Sequence, residues 1–223
     1  MKKRGTVLAV LGLSVGILLA GCGQKSGGEW KANENSIYVT RAQEVQSALV
    51  YTSEQTNELY RQAELEAFAG QAVIEYNKAN GAGASAVNEE GQAKLPVAVK
   101  SCTLEDRTGT LVFDYASPEH YENFAQATGD NTSTVQNIRV CRGTDGEAAD
   151  ILAEFNLTKA DGKVMDHGKI LKNEDYVIVA FEGAGTMCTE GKIAAMASDA
   201  AGTVQRDDFT VVTGEGRHCI VFK

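Results

Sequence analysis

The chain has 223 residues, a formal net charge of −9 and 43% apolar residues. That apolar content can fill a core and excludes a disordered tail, and the length suits one large domain or two small ones. The acidic balance excludes a nucleic-acid partner, because it repels phosphate backbones and anionic lipid head groups alike.

Lys2, Lys3 and Arg4 open the chain, Thr6 to Ala20 run without a charge, and Leu19-Ala20-Gly21-Cys22 closes the stretch. A basic start, an apolar middle and small residues at a cut form the three-part plan of a bacterial export signal. As a helix the apolar run would reach only about 22 Å, short of the roughly 30 Å hydrocarbon core. A cleaved signal over residues 1–21 is therefore expected rather than a permanent span. Leu19-Ala20-Gly21-Cys22 resembles the lipobox of bacterial lipoproteins, whose cysteine thiol receives a diacylglyceryl group and becomes the mature N-terminus. The resemblance implies that Cys22 is the lipidation site and the membrane anchor. Each buried methylene contributes about 0.8 kcal/mol, and two acyl chains hold firmly where one is marginal. Removing Lys2, Lys3 and Arg4 with the signal takes the remainder from −9 to −12, so the domain is expected to stand off the membrane, tethered by its lipid alone.

Residues 22–35 are expected to form a tether: from Gly23 to Asn35 they are polar and glycine-bearing, with an r.m.s. reach of about 20 Å. Trp30, the only tryptophan, sits in this stretch, and reads either as an interface anchor or as an exposed or loosely packed side chain. Residues 36–223 are then expected to form a single α+β extracytoplasmic domain. Ser36 to Thr40 and Val45 to Tyr51 alternate and predict a β-hairpin. Ser53 and Thr56 offer N-cap oxygens to a long helix over about 55–80, in which Leu65, Phe68, Ala69, Ala72, Val73, Tyr76 and Ala79 share a face. Gly81 stops it as an αL cap.

Ala82 to Pro96 reads as a loop. Val97 to Glu105 and Thr110 to Ala116 predict strands about a turn at Asp106-Arg107-Thr108-Gly109. Ser117-Pro118-Glu119 starts a helix that carries Tyr121 and Phe124 inward and fades near Gly129. Ile138 to Arg142 predicts a strand and Gly146 to Phe155 a short helix. Tyr176 to Phe181 is apolar on both faces, which predicts a buried central strand. Lys192 to Ala197, Asp208 to Thr213 and His218 to Phe222 follow as strands. Helices first and strands last, without regular βαβ alternation, predict an α+β fold with a mostly antiparallel sheet.

No catalytic constellation stands out. His218-Cys219 pairs an imidazole with a thiol, but neighbours on a strand point to opposite faces. His120 and His167 fall on a helix flank and in a glycine turn, and no spacing suits zinc. Asp161 to Asp166 lacks the alternating oxygens of a calcium loop, and Gly214-Glu215-Gly216 precedes a strand rather than opening a helix. No cofactor or metal is expected. Cys102, Cys141, Cys188 and Cys219 allow two disulfides in three pairings, or serve as small buried hydrophobes.

Several stretches together resemble a group of small lipoproteins of low-GC Gram-positive bacteria, a group that brings no activity with it. They are the lipobox, Ser36 to Val39, Glu75 to Gly81, Tyr115 to Phe124, Leu171 to Val177 and Gly191 to Ile193. The resemblance implies a single-membrane host and carries no catalytic residue over. The expected function is a non-enzymatic binding or interaction module of the cell envelope, anchored at the extracytoplasmic face of the membrane and meeting an envelope or extracellular partner. The rival expectations are an envelope hydrolase without a recognisable motif, and a transport-associated solute binder.

Overall fold

The computed structural model describes residues 30–53 and 61–223. The expected signal peptide, Cys22, the tether up to residue 29 and the first part of the expected long helix lie outside the described residues. The alternating N-terminal segments form β1 (Ser36–Val39) and β2 (Val45–Thr52), paired antiparallel with Val39 opposite Val45. Thr40 Oγ1 accepts the Glu44 N–H at 3.0 Å and Gln43 turns the chain at φ 67°.

Helix α1 (Gln62–Ala79) buries Ala69, Val73, Tyr76 and Asn77, with Leu65 and Ala72 half-buried. Two residues expected on this face do not join it. Phe68 is 75% exposed and Ala79 also faces water. The inward stripe runs Leu65, Ala69, Val73, Asn77 in steps of four, and Phe68 lies one position off that row on its solvent side. Asn77 takes a place that apolar periodicity cannot announce. Its Nδ2 donates to the Ser85 and Val97 carbonyls at 3.0 and 2.9 Å, and its Oδ1 accepts the Val97 N–H at 3.1 Å. One buried amide thereby fastens the loop after α1 to the next strand.

That strand, β3 (Val97–Glu105), turns into β4 (Thr108–Tyr115) through Asp106 and Arg107 alone. Both have positive φ, 44° and 73°, the signature of a type I′ hairpin. The turn is two residues tighter than the sequence pattern predicts. Helix α2 (Pro118–Thr128) starts after Ser117 with proline at its head and stops at Gly129, φ 69°, burying Tyr121 and Phe124 as expected. The remaining elements are β5 (Gln136–Arg142), α3 (Ala148–Ala153), α4 (His167–Ile170), β6 (Val177–Glu182), β7 (Gly185–Thr189), β8 (Ile193–Ser198), β9 (Val204–Gln205), β10 (Thr210–Thr213) and β11 (Arg217–Phe222).

The fold is α+β and mostly antiparallel, but the strands make two sheets rather than one. The first runs β3-β4-β2-β1-β7-β10-β9 and the second β5-β6-β11-β8. Among these pairings only β1 with β7 is parallel. Ile37, Val45 and Phe113 of the first sheet share a core with Val179, Phe181, Ile220 and Phe222 of the second, and Tyr76 and Phe124 close it from the helices. The alternate residues of the second sheet, Ile178, Ala180, Cys219 and Val221, pack against Ile151, Leu152, Phe155 and Ile170 on its other side. A strand between two apolar layers must be apolar on both faces, which is why β6 reads as it does. Gly143 lets α4 close over the end of β5, since a Cβ there would run into the Ile170 carbonyl.

Candidate functional site

The expected lipidation residue, Cys22, lies outside the described residues. His218 and Cys219 do point apart. The His218 ring lies against Phe181, centroids 4.9 Å apart, while Cys219 sits in the core on the other face of the sheet. The Gly214 carbonyl 2.9 Å from His218 Nε2 can only accept, so Nε2 carries the hydrogen. His218 Nδ1 is buried with no partner. His120 Nδ1 meets the Tyr76 hydroxyl at 3.1 Å on the helix flank, and His167 opens α4 beside the capping Asp166.

The four described cysteines are free thiols. Cys141 and Cys219 lie on strands separated by β6 and staggered by two residues along it, so they are more than about 9.5 Å apart and beyond disulfide reach. Burial pushes both thiols up to about 12 and also raises Cys102 and Cys188, which disfavours the thiolate that a cysteine nucleophile needs. Among the described residues no group of three or more His, Cys, Asp or Glu side chains is placed to hold a metal ion.

Part of the expected tether is packed on the domain. Trp30 lies over Tyr38, Glu34 pairs with Arg206, and Asn35 Oδ1 accepts the Val50 N–H at 2.7 Å. Beneath Trp30, on the outer face of the first sheet, Tyr38, Gln46 and Asp114 are successive register partners. Trp30 Nε1, Gln46 Oε1 and Asp114 Oδ1 are buried there without partners, as is Arg41 Nε in the adjoining turn. Burial, followed by the charges near Glu190 and Cys188, pushes the Tyr38 hydroxyl up to about 12.

A built cleft lies at one end of the second sheet. On the face turned to α3 the strands carry Cys141, Ala180 and Cys219 under the helical layer. Two positions further along each strand, on the same face, stand Arg139, Glu182 and Arg217, where the cover of α3 has run out at Phe155. With Asn137, Glu154, Phe155 and Phe181 these line a cleft of about 140 Å³. β5 bulges between Gln136 and Arg139, and Asn137 in the bulge has φ 55°. A bulge that re-aims side chains and a non-glycine residue held in the left-handed region are costly features that cluster beside functional sites.

The polar groups of this cleft are ordered in pairs. Asn137 Nδ2 donates to Glu182 Oε2 at 3.0 Å and Arg139 Nη1 donates to Glu154 Oε1 at 2.9 Å. Arg217 Nη1 lies 4.0 Å from Glu154 Oε2, and its guanidinium sits 5.9 Å above the Phe155 ring. Outside the lining, Asp199 grips Arg217 by its backbone N–H at 2.6 Å and its Nε at 3.1 Å. The Arg139 hydrogen bond, helped by the charges of both arginines, holds the Glu154 carboxyl below the usual range. Sequence reading missed this site, since its residues come from four elements. The available signal was charge: Glu182 ends and Arg217 begins an otherwise apolar strand, and Arg139 sits in the polar first half of β5.

Compared with family models, curated proteins and solved structures, the chain finds no match in any of the three.

Proposed function

We propose that the protein is a lipid-anchored, extracytoplasmic binding module, held at the membrane through Cys22 and engaging an envelope or extracellular ligand with its folded domain. The observation that carries this reading is the order Lys2-Lys3-Arg4, apolar run, Leu19-Ala20-Gly21-Cys22 at the head of a chain that later folds as α+β. Export, cutting and acylation each need one part of that order. Only seven residues separate Cys22 from Trp30, which limits the distance between anchor and domain to about 28 Å. Binding is supported by the cleft, where Arg139 holds the Glu154 carboxyl ionised as a hydrogen-bond acceptor. The test is to separate membrane from soluble material and weigh the N-terminal peptide of the mature chain. A peptide starting at Cys22 with added diacylglyceryl mass, in the membrane fraction, is the expected result. An unmodified N-terminus on a protein that stays soluble would refute the anchor.

A further inference from the structure

We infer that the cleft lined by Asn137, Arg139, Glu154, Glu182 and Arg217 binds a neutral polyhydroxylated ligand, a saccharide unit. The inference rests on the binding-module reading and names the ligand class for it. Charge narrows the choice first. The lining sets two arginines, Arg139 and Arg217, against two carboxylates, Glu154 and Glu182, so neither an anion nor a cation meets a net opposite charge. An apolar ligand gains little, because Phe155 and Phe181 are only 9% and 2% exposed and floor the cleft without offering a broad greasy wall.

What the cleft does offer is five planar polar groups with capacity to spare. A guanidinium has five N–H donors in a fork, a carboxylate about four acceptor sites and an amide both kinds. Arg139 and Glu154 use one bond on each other, as do Asn137 and Glu182. Their remaining donors and acceptors stand side by side and are already oriented, so a ligand does not have to order them. Vicinal hydroxyl groups, each both donor and acceptor at fixed spacing, match such a rim without needing charge. The cleft volume of about 140 Å³ lies below the roughly 300–1,000 Å³ of drug-sized sites, so the occupant is a single sugar ring rather than a larger ligand.

The experiment is saturation-transfer NMR on the detergent-purified full-length protein. The probes are cellobiose, maltose and diacetylchitobiose, with acetate and methylphosphonate as anions. Transfer to at least one disaccharide is expected, with at least an about fivefold loss in Asn137→Gly and in Arg217→Lys, since each removes hydrogen bonds at the rim. Glycine accepts the positive φ of position 137 and lysine keeps the charge beside Asp199, so both variants should fold. Their thermal midpoints and an unchanged signal in the remote variant Phe68→Ser check this. Transfer to none of the three disaccharides, transfer to the anions alone, or disaccharide transfer that survives both substitutions would each overturn the proposal. None of those outcomes touches the anchor, which stands or falls on the mass of the N-terminal peptide.

Discussion

Trp30 lies flat on Tyr38, ring centroids 4.6 Å apart and planes 3° from parallel. The contact joins the last stretch before the first strand to the outer face of the first sheet. It also leaves the indole Nε1 buried without a partner. An unpaired buried donor costs about 1–3 kcal/mol, against about 0.5–1.5 kcal/mol for an aromatic pair beyond its area. Trp30→Phe should therefore stay within about 0.5 kcal/mol of the parent, because it keeps the stack and drops the orphan. Trp30→Ala should lose about 1–3 kcal/mol. Denaturant unfolding of the two variants is the measurement, and equal stability for both would show that the stack does not matter.

Alkaline pH should unfold the protein early. Cys141 and Cys219 rise from 9.0 to about 12 on folding, and Tyr38 and Tyr121 rise from 10.0 to about 12, in each case chiefly through burial. Above pH 9 the unfolded thiols release protons that the native state still holds, so stability falls as pH rises. It is fully present below pH 9 and is lost towards pH 12. Each thiol should remove about 1.4 kcal/mol per pH unit in that window. Melting temperatures between pH 8 and 11 test this, and a flat profile would contradict the burial of these groups. Cys141→Ala combined with Cys219→Ala should flatten the lower part of the slope.

Asn77 is the polar residue the domain can least spare. Replacing it with alanine strands the Val97 N–H, the Val97 carbonyl and the Ser85 carbonyl together. At about 1–3 kcal/mol for each unsatisfied buried group, and with water reaching part of the loop, Asn77→Ala should cost about 3–5 kcal/mol. Asn77→Asp should cost nearly as much, since the carboxylate keeps the acceptor but loses both donors. Proteolysis of the loop at 82–96 should quicken in both variants. Normal loop protection in a destabilised Asn77→Ala would mean that the amide does not fasten the loop.

How legible the fold was depended on how local its causes were. Ser117-Pro118 and Gly129 frame the eleven residues of α2, and the alternation of β1 and β2 is contained in the segments themselves. β7 was missed because Gly185–Thr189 has no alternation of its own and owes its place to pairing with β10 on one side and, in parallel, with the distant β1 on the other. Phe68 was misread because a face drawn at both three and four residues is wider than the stripe the sheet contacts. His218 is the buried counterpart of Phe68. Its ring is 1% exposed, stacked and hydrogen-bonded, so about 2–4 kcal/mol is expected for His218→Ala, while Phe68→Ser should cost less than about 0.5 kcal/mol. Chemical denaturation of the two variants would reverse that ranking if the burial were wrong.

Anchoring provides the last prediction, which concerns residues outside the described ones and rests on the proposed function. In Leu19-Ala20-Gly21-Cys22 small residues lead to a thiol, and acyl transfer needs that thiol as the attacking group, so no other side chain can replace it. Cys22→Ala should block lipid transfer and the cut that depends on it. The precursor should then persist with its apolar run intact, or be clipped elsewhere and shed. Neither outcome should alter the domain, since Trp30 onward packs with partners of its own. The remaining surface, at −12 without the signal, is repelled by anionic head groups and gives no second hold on the membrane. Fractionation of Cys22→Ala cells, with a thermal melt of whatever is released, measures both halves. A variant that is cut at the same bond and still sediments with membranes would show that the anchor lies somewhere other than Cys22.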